Sequence, residues 1–528
     1  MRLIGNKYLR RVLLANIYMI GIIGIVASGG GGGGRTDWEP GVYLPAGTFW
    51  ARCVNPRSGI NPFTNQPFSD IQGSADDENN FLRSYSNDTY LWYDEITDRD
   101  PYLYNSPLTY FDLLKTTALT SSGQPKDRFH FTVPSDEWFQ LSQSGVVAGY
   151  GATFVRLSSD PPREFVVAYT ESNSPATAPQ VNLARGARIL SVDGVDIDDN
   201  TQTGINTIYA GLYPEIAGET HDFEILDLGA PQGRMVSITS ANVSLSPVQN
   251  VTVLPTLSGF VGYLLFNDHI AAAEQALIDA VNQLNTGPGI NDLVVDLRYN
   301  SGGFLDIASQ FAYMIAGQAQ TSGQPFETPR FNDKHPTTNP VTGQPLVPTP
   351  FYSTTAGFSA PPGLPLPTLN LSRVFVLTGP DTCSASESIM NSLKGINLDV
   401  IQIGSTTCGK PYGFYPTDNC GTTYFTIQFQ GVNALNFGDY TDGYSPENTI
   451  SNPGELLPGC SVADDFTAPL GDPSESRLAA ALVFRESPNT CPVPSARPAP
   501  GALMTEKNLA AVDGVVLKNP WLTNRIVR

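Results

Sequence analysis

The sequence predicts a multidomain α/β protein with a small N-terminal helical domain, a compact β-domain and a larger α/β core. Three observations predict it. Aromatic and aliphatic residues recur at helical spacing from Asp77 to about Leu141. Short β-rich runs broken by Gly, Asp-Gly and Pro fill roughly the next hundred residues. Strand–turn–helix segments then alternate, the pattern of an α/β core. The chain has 528 residues, 41% of them hydrophobic and 10% aromatic, so several cores can be built and wholesale disorder is excluded. Thirty Lys and Arg face fifty Asp and Glu, a net charge of -20. Such a surface repels phosphate backbones and argues against nucleic-acid binding. There is one long apolar run, which excludes a polytopic membrane protein.

That run opens the chain. Lys7, Arg10 and Arg11 precede an apolar stretch from Val12 to Ala27, and small residues follow at Ala27, Ser28 and Gly29. The stretch is shorter than the ~20 residues of a spanning helix. Residues 1–34 read as an export signal with a glycine tether, Gly29 to Gly34; an uncleaved membrane anchor is the alternative. Ser28 stands where a lipoprotein signal carries its cysteine, so no thiol is there to acylate. The expected location is outside the cytoplasm, periplasmic or associated with the cell envelope.

Residues 35–76, rich in Pro, Gly and Asn, read as an irregular lead-in. The helical domain spans 77–142, with Asp77 or Asn80 as the first cap and Ser106-Pro107 opening a second helix. The β-domain spans 143–242. The α/β core spans 243–490. In it HIAAAEQALIDAVNQLN is an amphipathic helix, DLVVDLR a buried strand, and NSGG a turn into the helix FLDIASQFAYMIAG. The stretch from about 318 to 367 is Pro/Thr-rich without periodicity and reads as an insertion or lid. Residues 491–528 form a linker and a tail ending NPWLTNRIVR.

Six cysteines in an exported chain suggest disulfides. The connectivity cannot be deduced; the best expectation is Cys408–Cys420 and Cys460–Cys491, with buried free thiols as the alternative. No cysteine–histidine cluster has metal-like spacing.

The chemistry concentrates between Val374 and Lys410. The strand VFVLT ends in the turn GPDT, and Ser384 precedes a helix starting at Ala385. A hydroxyl beside the free N–H groups of a helix start suits a nucleophile whose product is an oxyanion. Ser384 to Glu387 also reads S-x-x-E, a capping box needing no catalysis. A serine nucleophile needs a base. His130, His221, His269 and His335 lack a triad context, whereas Lys410 follows the strand DVIQIG and serves as base only if desolvated. The turn Asn300-Ser301-Gly302-Gly303 is a second oxyanion candidate, since adjacent glycines admit close backbone approach. An ordinary turn and a solvated lysine are the plain alternatives.

Taken together, VVDLRYNSGG, TGPDTCSASESI and IGSTTCGKPYG resemble, in order and spacing, the three motifs of the carboxy-terminal processing (tail-specific) serine peptidase family. The resemblance covers about 400 residues. It implies a ClpP/crotonase-like core and a serine endopeptidase that needs no metal or other cofactor. Ser384 would be nucleophile, Lys410 base and Glu387 an assisting acid, with Ala385 and Gly302 or Gly303 as oxyanion donors. Some members place a glutamine four residues after the lysine; here Phe414 stands there. Arg298 and Asp296 read as structural. The β-domain resembles a PDZ domain: GVVAGYGATF stands at its carboxylate-binding loop, and ARGARILSVDGVDI matches its signature with Ala187 in place of the aspartate. Gly149, Tyr150 and Gly151 would then hold polypeptide substrates through their C-terminal segments. Two rival readings stand beside this one: a non-catalytic PDZ-like peptide-binding protein with a degenerate peptidase core, and an esterase or thioester-processing enzyme. Cys383 and Cys408 flank the site, and a disulfide at either would brace it.

Overall fold

The computed structural model describes residues 38–62, 64–450, 454–492, 509, 512–516 and 525–526. The signal or anchor and the tether, 1–34, lie outside the described residues. The core is a six-stranded sheet. Its order is Val248–Thr256, Gly259–Phe266, Asp292–Asp296, Arg373–Thr378, Asp399–Gly404 and Gly459–Ser461. The first pair is antiparallel and the other pairs are parallel.

The strands are near-continuous apolar runs because both sheet faces are covered. Successive side chains point to opposite faces. Leu264 and Phe266, Leu293 and Val295, Val374 and Val376 therefore pack on one side, with the helices Ala273–Leu284, Leu305–Ala316 and Ala385–Gly395. Tyr263 and Leu265, Val294, Phe375 and Leu377 pack on the other, with the helix Ser476–Glu486.

A buried ion cluster lies beneath the second face. Arg298 Nη1 and Nη2 donate to Glu475 at 2.8 and 2.9 Å, Nη1 donates to Asp464 at 2.6 Å, and Nε donates to Asp296 at 2.9 Å. Arg185, from the β-domain, donates to Asp464 and to the Tyr299 hydroxyl. Arg298 is 1% exposed. The residues read as structural, Arg298 and Asp296, sit in this cluster.

The first long helix is Ala75–Thr89, and its cap is Ser74, with Asp77 as its capping-box partner at the third helical position. The expected caps Asp77 and Asn80 therefore lie inside the helix. The second helix, Pro107–Phe111, is capped by Ser106 with proline at its first turn. The β-domain sheet runs in the order Arg234–Thr239, Thr220–Leu226, Arg188–Val192, Glu164–Thr170, Ala152–Ser158, and ends on a strand from the C-terminal segment, Val515–Val516. The helix Gln202–Leu212 packs on this sheet, where Ile208 and Leu212 join Phe154 and Phe223 in its core.

Much of the Pro-rich insertion is built on hydrogen bonds. The strand Pro325–Arg330 pairs with Phe429–Val432. The buried Glu274 carboxylate accepts the N–H groups of Ala356, Phe358, Ser359 and Ala360. Burial opposes this carboxylate, but Gln310 and those N–H donors outweigh it and hold it below its ordinary range.

The disulfides are Cys53–Cys420, Cys383–Cys408 and Cys460–Cys491. The expected Cys408–Cys420 pair is not formed. Parallel pairing of Arg373–Thr378 with Asp399–Gly404 brings the segments after both strands together, and Cys408 meets Cys383 there. Cys420 sits at the tip of the hairpin Thr417–Asn419/Thr422–Phe425 and is bonded to the lead-in segment instead.

Candidate active site

Three neighbouring parallel strands deliver the candidate residues. The chain leaves Asp292–Asp296, Arg373–Thr378 and Asp399–Gly404 on one edge of the sheet. Those exits carry the Asn300–Gly303 turn, Ser384 and Lys410. Carboxyl ends of parallel strands are where open α/β sheets bind ligands.

Ser384 has φ 60° and ψ -114°. A non-glycine residue there costs about 1–3 kcal/mol and persists only when its surroundings over-determine it. They do so here. The Thr382 hydroxyl accepts the Gly379 N–H at 2.9 Å and donates to the Leu297 carbonyl at 2.8 Å. The Cys383 N–H donates to the Asn300 carbonyl at 3.1 Å. The Ser384 side chain makes no capping hydrogen bond, and its Oγ is buried without a hydrogen-bond partner. The S-x-x-E capping box is thus present in outline, with Glu387 accepting the Ser384 N–H, while the hydroxyl itself is left without a hydrogen bond.

Glu387 joins the two candidate segments. Its Oε2 accepts the N–H of Ser384 at 2.9 Å and of Lys410 at 2.8 Å. Its Oε1 accepts the Gly409 N–H at 2.8 Å and the Thr407 hydroxyl at 2.5 Å. Burial pushes the carboxyl above its ordinary range, against the pull of these four donors. Glu387 fixes the lysine by its backbone. The Cys383–Cys408 disulfide closes the same junction covalently, with Cα atoms 5.2 Å apart.

Lys410 is fully buried. Its Nζ lies 4.3 Å from the centroid of the Phe414 ring and 4.7 Å from that of Phe129. Phe414, at the place of the family's glutamine, thus packs its ring on the amine. Phe129 comes from the N-terminal region, and nothing in its local sequence marks it. Thr407, which also donates the hydroxyl bond to Glu387, was equally unmarked.

The turn packs against the segment that carries Ser384. Asn300 Oδ1 takes the N–H of Gly302 at 2.9 Å and lies 3.0 Å from Nδ1 of the buried His269. Gly302 has φ +101°, and a Cβ there would lie 2.8 Å from Ser384 Cβ and 3.0 Å from the Ala385 nitrogen. Gly303 has φ +135°, and its Cβ would lie 2.5 Å from the His269 carbonyl oxygen. Of the two expected donors, the Gly302 N–H is already engaged with Asn300. Gly302→Ala is expected to push the turn off Ser384 and lower turnover at least tenfold, with about 1–3 kcal/mol of lost stability, because both strain and overlap are introduced. Paired kinetic and denaturant measurements check this.

The β-domain loop differs in part from expectation. Tyr150 is 2% exposed, and its hydroxyl donates to the Gly211 carbonyl at 2.8 Å. Its side chain is core, so only the backbone of this loop remains for a ligand. Gly149 pairs with Ala241, and Gly151 has φ +74° with its carbonyl accepting the Glu171 N–H.

The histidines carry structural contacts. His130 stacks on Phe111 at 3.8 Å, and burial lowers its pKa to about 4. His221 pairs with Asp193 and His335 with Asp88. Among the described residues one group has metal-ligating geometry, Cys383, Glu387 and Cys408, but its two sulfurs are bonded to each other and offer no thiolate.

Comparison with known proteins finds family matches over two stretches of the chain. Residues 260–416 match the model for peptidase family S41, and residues 77–131 match the peptidase S41 N-terminal domain. Over these two stretches the chain is similar to peptidase family S41. Carboxyl-terminal-processing peptidase 2, chloroplastic, of Arabidopsis thaliana is 28% identical over 232 residues, which are 42% of this chain and 43% of the relative. The chain thus matches less than half the length of that curated relative. A putative S41 protease from Bacteroides fragilis has 24% identity and a TM-score of 0.55, covering 77% of this chain and 97% of that one, and shares the fold. A photosystem II D1 C-terminal processing protease has 17% identity and a TM-score of 0.41, covering 72% of this chain and 94% of that one.

Proposed function

We propose that the protein is a serine endopeptidase of the carboxy-terminal processing type, working through a Ser384–Lys410 dyad. The observation that carries this reading is the single Glu387 oxygen holding the N–H groups of both residues at 2.9 and 2.8 Å, beside a strained serine whose Oγ has no partner. In this reading the neutral Lys410 amine, which makes no hydrogen bond to Oγ in this structure, takes the Ser384 hydroxyl proton as Oγ attacks the scissile carbonyl. The N–H groups of Ala385 and Gly303 receive the oxyanion. The ammonium then protonates the leaving amine, and water, deprotonated by the same lysine, releases the acid and frees the serine.

The lysine must lose its proton readily. The faces of Phe129 and Phe414 favour the ammonium by about 0.5–2 kcal/mol. Full burial opposes the charge. The β-domain acts as a PDZ-like domain, taking the C-terminal segments of polypeptides by strand addition along Ala152–Ser158. Three disulfides favour an exported, periplasmic or envelope location. Among the described residues no helix is long and apolar enough to cross a membrane.

The test is a substrate profile. Unstructured polypeptides with varied C-terminal residues are incubated with the purified chain, and products are identified by mass spectrometry beside a panel of small esters. Cleavage inside the polypeptides, dependent on their last residues, is expected. Turnover of esters alone overturns the reading.

A further inference from the structure

We infer that the chain's own C-terminal segment occupies the substrate track of this site and holds it closed; the inference rests on the peptidase reading above. Two separate pieces of the segment dock on the two places a substrate would use. Val515–Val516 pairs antiparallel with the outer edge of Ala152–Ser158, with Val515 opposite Arg156 and Val516 opposite Val155. The chain therefore runs toward the Gly149–Gly151 loop, the polarity of a peptide added to that edge. Farther on, Arg525–Ile526 pairs parallel with Gly303–Phe304, the exit of the glycine turn beside Ser384. The same two residues also lie next to Tyr412–Gly413, which follows Lys410.

The docking is anchored. Leu509, Val512 and Val516 are buried against Val155 and the second face of the core sheet. The Val516 N–H donates to Asp381 Oδ2 at 2.9 Å, within the turn that carries Ser384. Asp513 accepts the Asp464 N–H at 3.2 Å and pairs with Arg477. A separate observation agrees: Ser384 and Lys410 are both fully buried, so no polypeptide reaches them while the site has this form. A strap that only fastened the β-domain to the core would need the first contact and not the second. The strand at Gly303–Phe304 lies where backbone pairing would hold the residues beside a scissile bond.

The test separates the two contacts. A variant ending at Lys518 keeps Leu509 to Val516 and lacks Arg525–Ile526. A tethered strand acts at about 1 mM effective concentration; with a Kd near ~0.1 mM its removal raises the rate of polypeptide hydrolysis about tenfold. The thermal midpoint is expected to stay unchanged, and the peptide NPWLTNRIVR added at millimolar concentration is expected to restore inhibition. An Arg525→Pro/Ile526→Pro variant of full length, which removes the strand's N–H groups, is expected to behave like the shortened chain.

A binding arm does not need catalysis. In the Ser384→Ala background, fluorescein-labelled NPWLTNRIVR is expected to bind the shortened chain and not the full one. If neither active chain cuts polypeptide while this binding difference appears, the peptidase reading fails and the occupancy stands. Measurable and equal hydrolysis by the full and shortened chains, or labelled peptide that fails to bind the shortened chain, overturns the inference.

Discussion

Ser384→Ala is expected to lower polypeptide turnover by roughly ten-thousandfold or more, the scale of loss when a nucleophile is removed and only binding and oxyanion contacts remain. The fold is expected to survive. The Ser384 Oγ makes no hydrogen bond, so its removal orphans no partner. The contacts that shape the turn are the Ser384 N–H to Glu387, the Cys383 N–H to Asn300 and the Thr382 hydroxyl to Leu297, and alanine keeps all three. Steady-state kinetics and a thermal melt on the same preparation check both halves. A variant that melts as the parent does and still cuts polypeptide contradicts the assignment of the nucleophile.

The largest stability effect is expected at Arg298. Removing one partner of a buried charge cluster leaves the others uncompensated, at a cost of about 3–5 kcal/mol. Arg298→Ala leaves Glu475 and Asp296 without the guanidinium, and Asp464 with Arg185 as its main remaining partner. The pH dependence follows from the carboxylates. Burial raises the Asp464 carboxyl, but Arg185, Arg298 and Arg477 outweigh it and hold it well below the ordinary range. Burial likewise opposes Glu475, and Arg298 outweighs it. Carboxylates lowered by folding stabilise the protein above their unfolded pKa of about 4, and that stabilisation is lost as pH falls below it. The gap between parent and Arg298→Ala in guanidinium unfolding is therefore expected to be full at pH 7 and to shrink in acid. A gap that widens on acidification contradicts this account.

The site was legible where its signal is local. Each of the three motifs sits directly after an apolar strand, and parallel pairing alone brings them to one edge. Glycines 302 and 303 declared themselves because the turn needs positive φ. The remainder depends on distance in space. Phe129 reaches Lys410 from a region about 280 residues earlier in the chain, and an isolated aromatic carries no mark of that contact. Cys408 and Cys420 are near in sequence, yet the sheet sends one to the Ser384 segment and the other to a hairpin tip. Tyr150 sits within a plausible loop motif, but its ring packs inward. The tail reads as a linker by composition, since a strand two residues long leaves no periodicity; its pairing partners are what define it.

The central claim is that a buried lysine amine draws the proton from Ser384. It is tested most directly by the rate at which Ser384 is acylated in a single turnover, followed by intact mass across pH, in the parent and in Lys410→Ala. The account predicts a rate that rises with pH through one ionisation in the parent, and loss of both that rise and most of the rate in a folded Lys410→Ala variant. Undiminished acylation in Lys410→Ala, with the parent's pH dependence, would contradict it.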